Sequence, residues 1–152
     1  MAQEVAGDPD EVRIAEVAGD LACDLVVNIQ GDEPLIDPAI IDLAVEPLVR
    51  DAAIPMGTLS RPMGAEEAAD RSKVKVVADL QGFALYFSRA PIPHTRDPRG
   101  GWPPLFRHVG VYAYRRTALM VLASLEPTPL ERAESLEQLR ALEHGIRIRA
   151  VE

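Results

Sequence analysis

Leu25-Val26-Val27-Asn28-Ile29-Gln30-Gly31-Asp32-Glu33-Pro34 runs from an apolar stretch into a glycine, two carboxylates and a proline. Leu25-Val26-Val27 reads as a buried strand. The strand stops at an acidic, tightly turned loop. In an α/β sheet the carboxyl edge of a strand is where ligands bind. Gly31 lets the backbone approach a ligand closely. Asp32 is suited to hold a divalent metal that bridges phosphate oxygens. A solvated Gly-Asp turn is the plainer reading of the same residues.

Elements alternate on both sides of this stretch. Asp8-Pro9-Asp10-Glu11 starts a helix with a capping aspartate, proline at the first position and acids in the first turn. Val12, Ala15, Leu21 and Ala22 line one face, widened by Ile14 and Val17. Asp37-Pro38 opens a second helix with Ile40, Ile41, Ala44 and Leu48 inward. Residues 54–60 read as a strand, and 65–70 as a short helix. Two strand-like runs, 74–77 and 83–87, flank the turn Asp79-Leu80-Gln81-Gly82 and predict a hairpin. Residues 91–104 form a long loop, 108–114 a strand and 117–124 a helix. Leu130, Ala133, Leu136, Leu139 and Leu142 make a stripe that predicts one helix over 130–144, stopped by Gly145. Residues 146–151 read as a final strand. The expectation is a single α/β domain over 1–152, built on a mixed, mostly parallel sheet with helices on both faces and a β-hairpin and loop inserted. It lacks the usual opening strand and is expected to be incomplete.

Composition narrows the function classes. The chain has 152 residues, 47% hydrophobic and 26% charged, with a net charge of −8. That is ordinary for a globular domain. It argues against binding a nucleic-acid backbone, which needs clustered positive charge. It says little about a small anionic ligand, since local basic groups can dominate a pocket. A lone cysteine, Cys23, allows no internal disulfide and fits a reducing compartment. No apolar run is long enough to span a membrane, and the acidic start Met1-Ala2-Gln3-Glu4-Val5 lacks a signal-peptide pattern. The expected location is cytoplasmic.

The stretch Asn28 to Ile36 resembles the central motif of sugar-acid cytidylyltransferases. Four later stretches narrow the likeness: Val74-Lys75-Val76-Val77; Gly82-Phe83-Ala84-Leu85-Tyr86-Phe87-Ser88-Arg89-Ala90-Pro91-Ile92-Pro93; Arg107-His108-Val109-Gly110-Val111-Tyr112-Ala113-Tyr114-Arg115; and Leu130-Glu131 through Glu134-Ser135-Leu136-Glu137-Gln138-Leu139-Arg140. Their order and spacing resemble the 3-deoxy-manno-octulosonate (KDO) cytidylyltransferases, the CMP-KDO synthetases of lipopolysaccharide biosynthesis. The resemblance covers nearly the whole chain from about Arg13. The fold it implies is Rossmann-like, of the nucleotide-diphospho-sugar transferase kind. The activity it implies is attack of a sugar-acid hydroxyl on the α-phosphate of CTP, with pyrophosphate leaving. Such a reaction needs alignment and neutralisation of triphosphate charge by Mg²⁺ and basic groups. It further implies a homodimer, weakly supported by the apolar hairpin residues Phe83, Leu85 and Phe87. Trp102-Pro103-Pro104-Leu105-Phe106 either contributes to that surface or anchors the loop on its own domain.

The resemblance assigns Asp32 as a magnesium ligand, with Gln30 beside it at the sugar end of the site. Arg89, His108, Tyr112, Glu137 and Gln138 fall where the family builds its sugar-acid pocket, and Lys75 is an extra phosphate or carboxylate contact. Asp32 and Arg89 form the expected catalytic pair. Each has a plainer alternative. Arg89 is either an anion ligand, for which its guanidinium is suited, or a solvated strand end. His108 is either a ligand group or a satisfied core histidine; Tyr112, four residues on, shares its strand face. Glu137 and Gln138 are either pocket residues or solvated helix polars, although both flank the leucine stripe. Glu33 reads as structural, and Arg147 and Arg149 as a solvated strand face.

The departures from the family are as informative. The family's opening Pro-Ala-Arg and Gly-Lys-Pro loop, which grips CTP, has no counterpart here, and Val5-Ala6-Gly7-Asp8-Pro9-Asp10-Glu11 does not match its Ser-Gly-Thr stretch. The chain also ends before the family's Gly-Val-Asp-Thr-Pro-Glu-Asp motif, which holds the second metal ligand. The expectation is therefore a fragment with little or no transferase activity alone. Two alternatives stay open: an acylneuraminate-type cytidylyltransferase, and a non-catalytic sugar-acid-binding or dimerisation remnant.

Overall fold

A computed structural model describes residues 9–29, 37–97 and 103–152. In chain order the elements are α1 (Pro9–Asp20), β1 (Leu25–Ile29), α2 (Pro38–Arg50), β2 (Met56–Met63), α3 (Ala65–Ala68), β3 (Lys75–Ala78), β4 (Ala84–Ser88), β5 (Leu105–Arg115), α4 (Arg116–Ala123), α5 (Pro129–Glu134), α6 (Gln138–Glu143) and β6 (Ile148–Val151). None of these helices is long and apolar enough to cross a membrane.

The six strands form one mixed sheet around β5, which is 11 residues long. One edge of β5 takes β2, and β6 joins β2 beyond it. The other edge takes two strands end to end: β1, from Leu25 opposite Arg115 to Ile29 opposite Val111, and β3, with Val76 opposite Phe106. The hairpin partner β4 then pairs with β3. Four strands (β1, β2, β3 and β6) point one way. Yet β5 runs against them and sits in their midst, so β2–β6 is the single parallel pair among the named strands. The sheet is mixed as expected, but the expectation that it is mostly parallel is corrected at the level of its hydrogen-bonded pairs. Strand-helix alternation set the expectation; it does not reveal an antiparallel strand threaded into the centre.

Alternation along β5 divides the apolar residues between two cores. Tyr112 and Tyr114 face one side, where they pack with Met56, Phe87, Leu139 and Ile148 under α1, α4 and α6. Val111 and Ala113 face the other, with Leu59 and the α2 residues Ala44 and Leu48. Helices thus cover both faces. The start of α2 follows its sequence signal: the Asp37 carboxylate accepts the Ala39 N–H at 2.9 Å, with Pro38 next. α2 lies so close to β2 that a Cβ on Gly57 would meet Ala44 O at 2.7 Å and Leu48 Cδ1 at 2.9 Å. Only glycine fits that crossing.

The junction of β5 with α4 closes both layers. Arg115 donates to the carbonyls of Leu48, Asp51 and Ile54 at the end of α2. Arg116 donates to Ala18 O at 2.7 Å and Gly19 O at 2.8 Å at the end of α1. Each guanidinium satisfies carbonyls that a helix terminus leaves open, where positive charge also suits the helix dipole.

Two expectations change. The single helix over 130–144 is broken: α5 ends at Glu134, Ser135 turns left-handed (φ 52°), and α6 begins at Gln138. Glu131 caps the start of α5, its carboxylate accepting the Thr128 N–H at 3.0 Å. Arg140, fully buried on α6, makes a bidentate ion pair with Glu131 of α5, with Nε 2.9 Å from Oε2. This pair folds the two short helices together. The apolar hairpin face is also divided. Phe87 is buried, whereas Leu85 is 63% exposed. The pairing of β3 with β4 shifts between Val77 and Ala78, skipping Leu85. Phe83 is covered by the guanidinium of Arg147, 3.5 Å from its ring centroid, so Arg147 is engaged in a cation–π contact.

Candidate functional site

The sites expected at Gln30 and Asp32 lie outside the described residues, as does Glu33. Among the described residues no group of three His, Cys, Asp or Glu side chains is placed to hold a metal ion. The remaining expected residues, Lys75, Arg89, His108, Tyr112, Glu137 and Gln138, are all described.

His108 and Tyr112 share one face of β5. Gly110, which has no side chain, lies between them. Their ring centroids are 5.2 Å apart. Phe87, at the end of β4, meets the His108 ring edge-on at 5.2 Å. Tyr112 continues the row to Tyr114 at 5.9 Å. His108 Nε2 lies 2.9 Å from Thr58 Oγ1 on β2. Burial, with a smaller push from the Arg107 charge, lowers the His108 pKa to about 3. The imidazole is therefore neutral at physiological pH.

Arg89 follows β4 directly, one residue beyond Ser88 and two beyond Phe87. Its guanidinium is turned onto the α5–α6 break: Nε donates to Glu134 O at 2.8 Å and Nη2 to Ser135 O at 3.2 Å. Glu134 answers with its carboxylate, which accepts from Ser88 Oγ at 2.6 Å and from the Arg89 backbone N–H at 2.9 Å. Burial pushes the Glu134 carboxyl up, but these hydrogen bonds, one from Tyr86 and the Arg89 charge outweigh it and hold the group below the usual range. Glu137 and Gln138 follow this break. Glu137 is half-buried at the start of α6, and Gln138 is 3% exposed. Neither is a solvated helix polar.

Lys75 stands apart. Its side chain is fully buried, and Nζ donates to Arg89 O at 2.6 Å, Lys73 O at 2.7 Å and Asp70 O at 3.0 Å. An ammonium has three N–H donors, and all three are spent on backbone carbonyls. Burial pushes its pKa down, partly opposed by the charges of Asp70 and Glu134. The expectation that Lys75 contacts phosphate or carboxylate is corrected: it holds the main chain behind Arg89.

The structure therefore sets His108 beside Tyr112 on β5 and Arg89 against the α5–α6 break, which Glu137 and Gln138 follow. Charge there comes from Arg89, Glu134 and Glu137. Hydrogen-bonding groups come from His108, Tyr112 and Gln138. Such a set can bind a polyhydroxylated acid. Sequence reasoning missed Thr58 and Glu134. Thr58 had a signal, being a polar residue inside an apolar strand. Glu134 had none, because its partners lie 45 and 46 residues away. Two cavities, of about 520 and 430 Å³, open elsewhere, the first beside Val76, Asp79 and Phe106 and the second along α1 and β1. None of the six described site residues lines either one.

The chain is similar to known proteins over most of its length. A protein of Syntrophotalea carbinolica named 3-deoxy-manno-octulosonate cytidylyltransferase is 55% identical over 148 residues, covering 92% of this chain and 59% of its own. Proteins of the same name from Geobacter metallireducens and Myxococcus xanthus are 52% and 56% identical, with 92% and 90% of this chain and 59% and 55% of theirs covered. The chain thus spans under two thirds of the length of these relatives. A solved structure of CMP:2-keto-3-deoxy-manno-octonic acid synthetase complexed with CTP superposes with a TM-score of 0.89 at 40% identity, over 95% of this chain and 61% of the other. A Bacillus anthracis structure described as a glucose-1-phosphate thymidylyltransferase, at 15% identity and a TM-score of 0.51, shares the fold alone. The family pattern described as cytidylyltransferase matches residues 8–148, nearly the full length, and the chain belongs to the cytidylyltransferase family.

Proposed function

We propose that this chain is the sugar-acid-binding part of an enzyme that transfers a cytidylyl group from CTP to KDO, giving CMP-KDO and pyrophosphate for lipopolysaccharide biosynthesis. The observation that carries the reading is that the chain is about half identical to relatives named for that reaction; His108 beside Tyr112 on β5, and Arg89 on the break that Glu137 and Gln138 follow, support it. A sugar hydroxyl oxygen forms a bond to the α-phosphorus, the bond from that phosphorus to the bridging oxygen of pyrophosphate breaks, and the hydroxyl proton passes to solvent. Arg89 carries the positive charge that suits the carboxylate of the sugar acid. His108, Tyr112 and Gln138 supply hydrogen bonds to its hydroxyls, and Glu137 accepts from them. Asp32 offers the hard oxygen donor that Mg²⁺ prefers, and the ion would neutralise triphosphate charge. Such an enzyme works where CTP is made, in the cytoplasm. Leu85 and the fully exposed Leu80 offer the hairpin as the surface for a homodimer, which sedimentation of the purified chain would detect.

The test is calorimetric titration of the chain with KDO and, separately, N-acetylneuraminate, beside a pyrophosphate-release assay with CTP and Mg²⁺. Saturable heat with KDO and a much weaker response with the nine-carbon acid is expected, with little pyrophosphate released by the chain alone. Absence of KDO binding, or equal binding of both acids, overturns the reading.

A further inference from the structure

Thr58 is fully buried in β2 at the point where its pairing with β5 shifts register, between Thr58 opposite Tyr112 and Leu59 opposite Val109. Three groups surround its hydroxyl: Val111 O at 2.8 Å, Val109 O at 3.5 Å and His108 Nε2 at 2.9 Å. A hydroxyl has one hydrogen to give, and a carbonyl oxygen can only accept. The hydrogen therefore goes to Val111 O, the nearest carbonyl. The remaining bond requires His108 Nε2 to donate to Thr58 Oγ1. A neutral imidazole carries one N–H, so Nδ1 is left with a bare lone pair.

The neighbours fix the plane of this ring as well as its tautomer. Phe87 stands edge-on to it at 81°, and Tyr112 lies against it at 42°. Among the described residues none donates a hydrogen bond to Nδ1. A rigid, neutral acceptor aimed from a crowded strand face suits a ligand hydroxyl. It repels a second acceptor such as a carboxylate oxygen.

We propose that Thr58 is a positioning residue that locks His108 as its Nε2–H tautomer, so that Nδ1 accepts a hydrogen bond from a hydroxyl of the polyhydroxy acid. The proposal rests on the reading that His108 faces that ligand. It assigns His108 to hydroxyl recognition and leaves the carboxylate to Arg89.

The test uses the ¹⁵N-labelled chain at neutral pH. Long-range ¹H–¹⁵N spectra of the imidazole separate a protonated from a bare ring nitrogen. In the unsubstituted chain, His108 Nε2 is expected protonated and Nδ1 bare, with Nδ1 moving toward the protonated side on adding KDO. Thr58→Ser keeps the hydroxyl and is expected to keep that spectrum and the KDO affinity within about twofold. Thr58→Val keeps the shape but removes the acceptor. It is expected to mix the tautomers and weaken KDO binding about tenfold, the size of one lost neutral hydrogen bond. A protonated Nδ1 in the free chain, or a Thr58→Val chain that matches the unsubstituted one in spectrum and affinity, overturns the proposal. If KDO binds by calorimetry yet leaves Nδ1 unmoved, the acceptor role fails while the sugar-acid reading stands. If KDO does not bind at all, that reading fails, and the acceptor role with it.

Discussion

Replacing Arg140 by leucine isolates the ion pair that folds α5 onto α6. The Arg140 side chain is fully buried, and that of Glu131 is 11% exposed. Arg140→Leu keeps an apolar filling but leaves a buried carboxylate without its bidentate partner. Breaking such a pair from one side costs about 3–5 kcal/mol, because the surviving charge has lost its compensation. Domains of this kind are stable by only about 5–15 kcal/mol. At roughly 2–4 °C per kcal/mol for a chain of this length, the melting temperature should fall by about 6–20 °C. Removing both charges should be milder. Glu131→Leu with Arg140→Leu leaves no orphan charge, but it loses the Glu131 carboxylate that accepts the Thr128 N–H at 3.0 Å, a capping contact worth about 1 kcal/mol. The double variant should therefore recover most of the loss. Urea unfolding followed by circular dichroism measures all three proteins. If Arg140→Leu costs under 1 kcal/mol, or the double variant costs as much as the sum of the singles, the orphan-charge argument is wrong.

His108 has an unfolded pKa near 6.5 and a folded pKa of about 3, so below pH 6.5 the unfolded chain takes up the proton first. Its contribution is intact above 6.5 and is lost as pH falls toward 3, about 2 kcal/mol of it by pH 5. Unfolding at pH 7.5 and 5.0 should show the gap between the unsubstituted chain and His108→Gln shrink by that amount; a constant gap means the histidine is not desolvated. Lys75→Met leaves three carbonyls without their donor and should cost on the order of 3 kcal/mol in urea unfolding, whereas a surface lysine would cost almost nothing. Gly57→Ala pushes a methyl into Ala44 O and should cost roughly 1–3 kcal/mol; an unchanged melting temperature would show that α2 can move away from β2.

Much of this architecture is written locally. Asp37-Pro38 announces α2, Gly82 (φ 78°) marks the hairpin turn, and the period of two on β5 puts His108 and Tyr112 on one face. What escaped depends on distant partners. The leucine stripe continues through Ser135 without a flaw, yet the helix breaks there, where Arg89 takes the carbonyls of Glu134 and Ser135. Lys75 looks like a ligand group because lysines are seldom fully buried; only the folded chain shows three carbonyls converging on it. Strand direction is likewise a tertiary matter. Nothing in residues 105–115 says that they will run against β1, β2 and β3. The candidate residues could be named from their types, and the long-range contacts that hold them could not.

Arg115 and Arg116 are neighbours in sequence, yet they grip helices on opposite sides of the sheet. The dipeptide works as a rivet through a plate. Because both clamped ends share one stretch of backbone, α1 and α2 cannot slide past one another without bending the central strand. β1 lies against the same end of β5, with Leu25 opposite Arg115. β1, α1 and α2 are therefore bolted to one point of the central strand. Their placement is set by two arginines far along the chain.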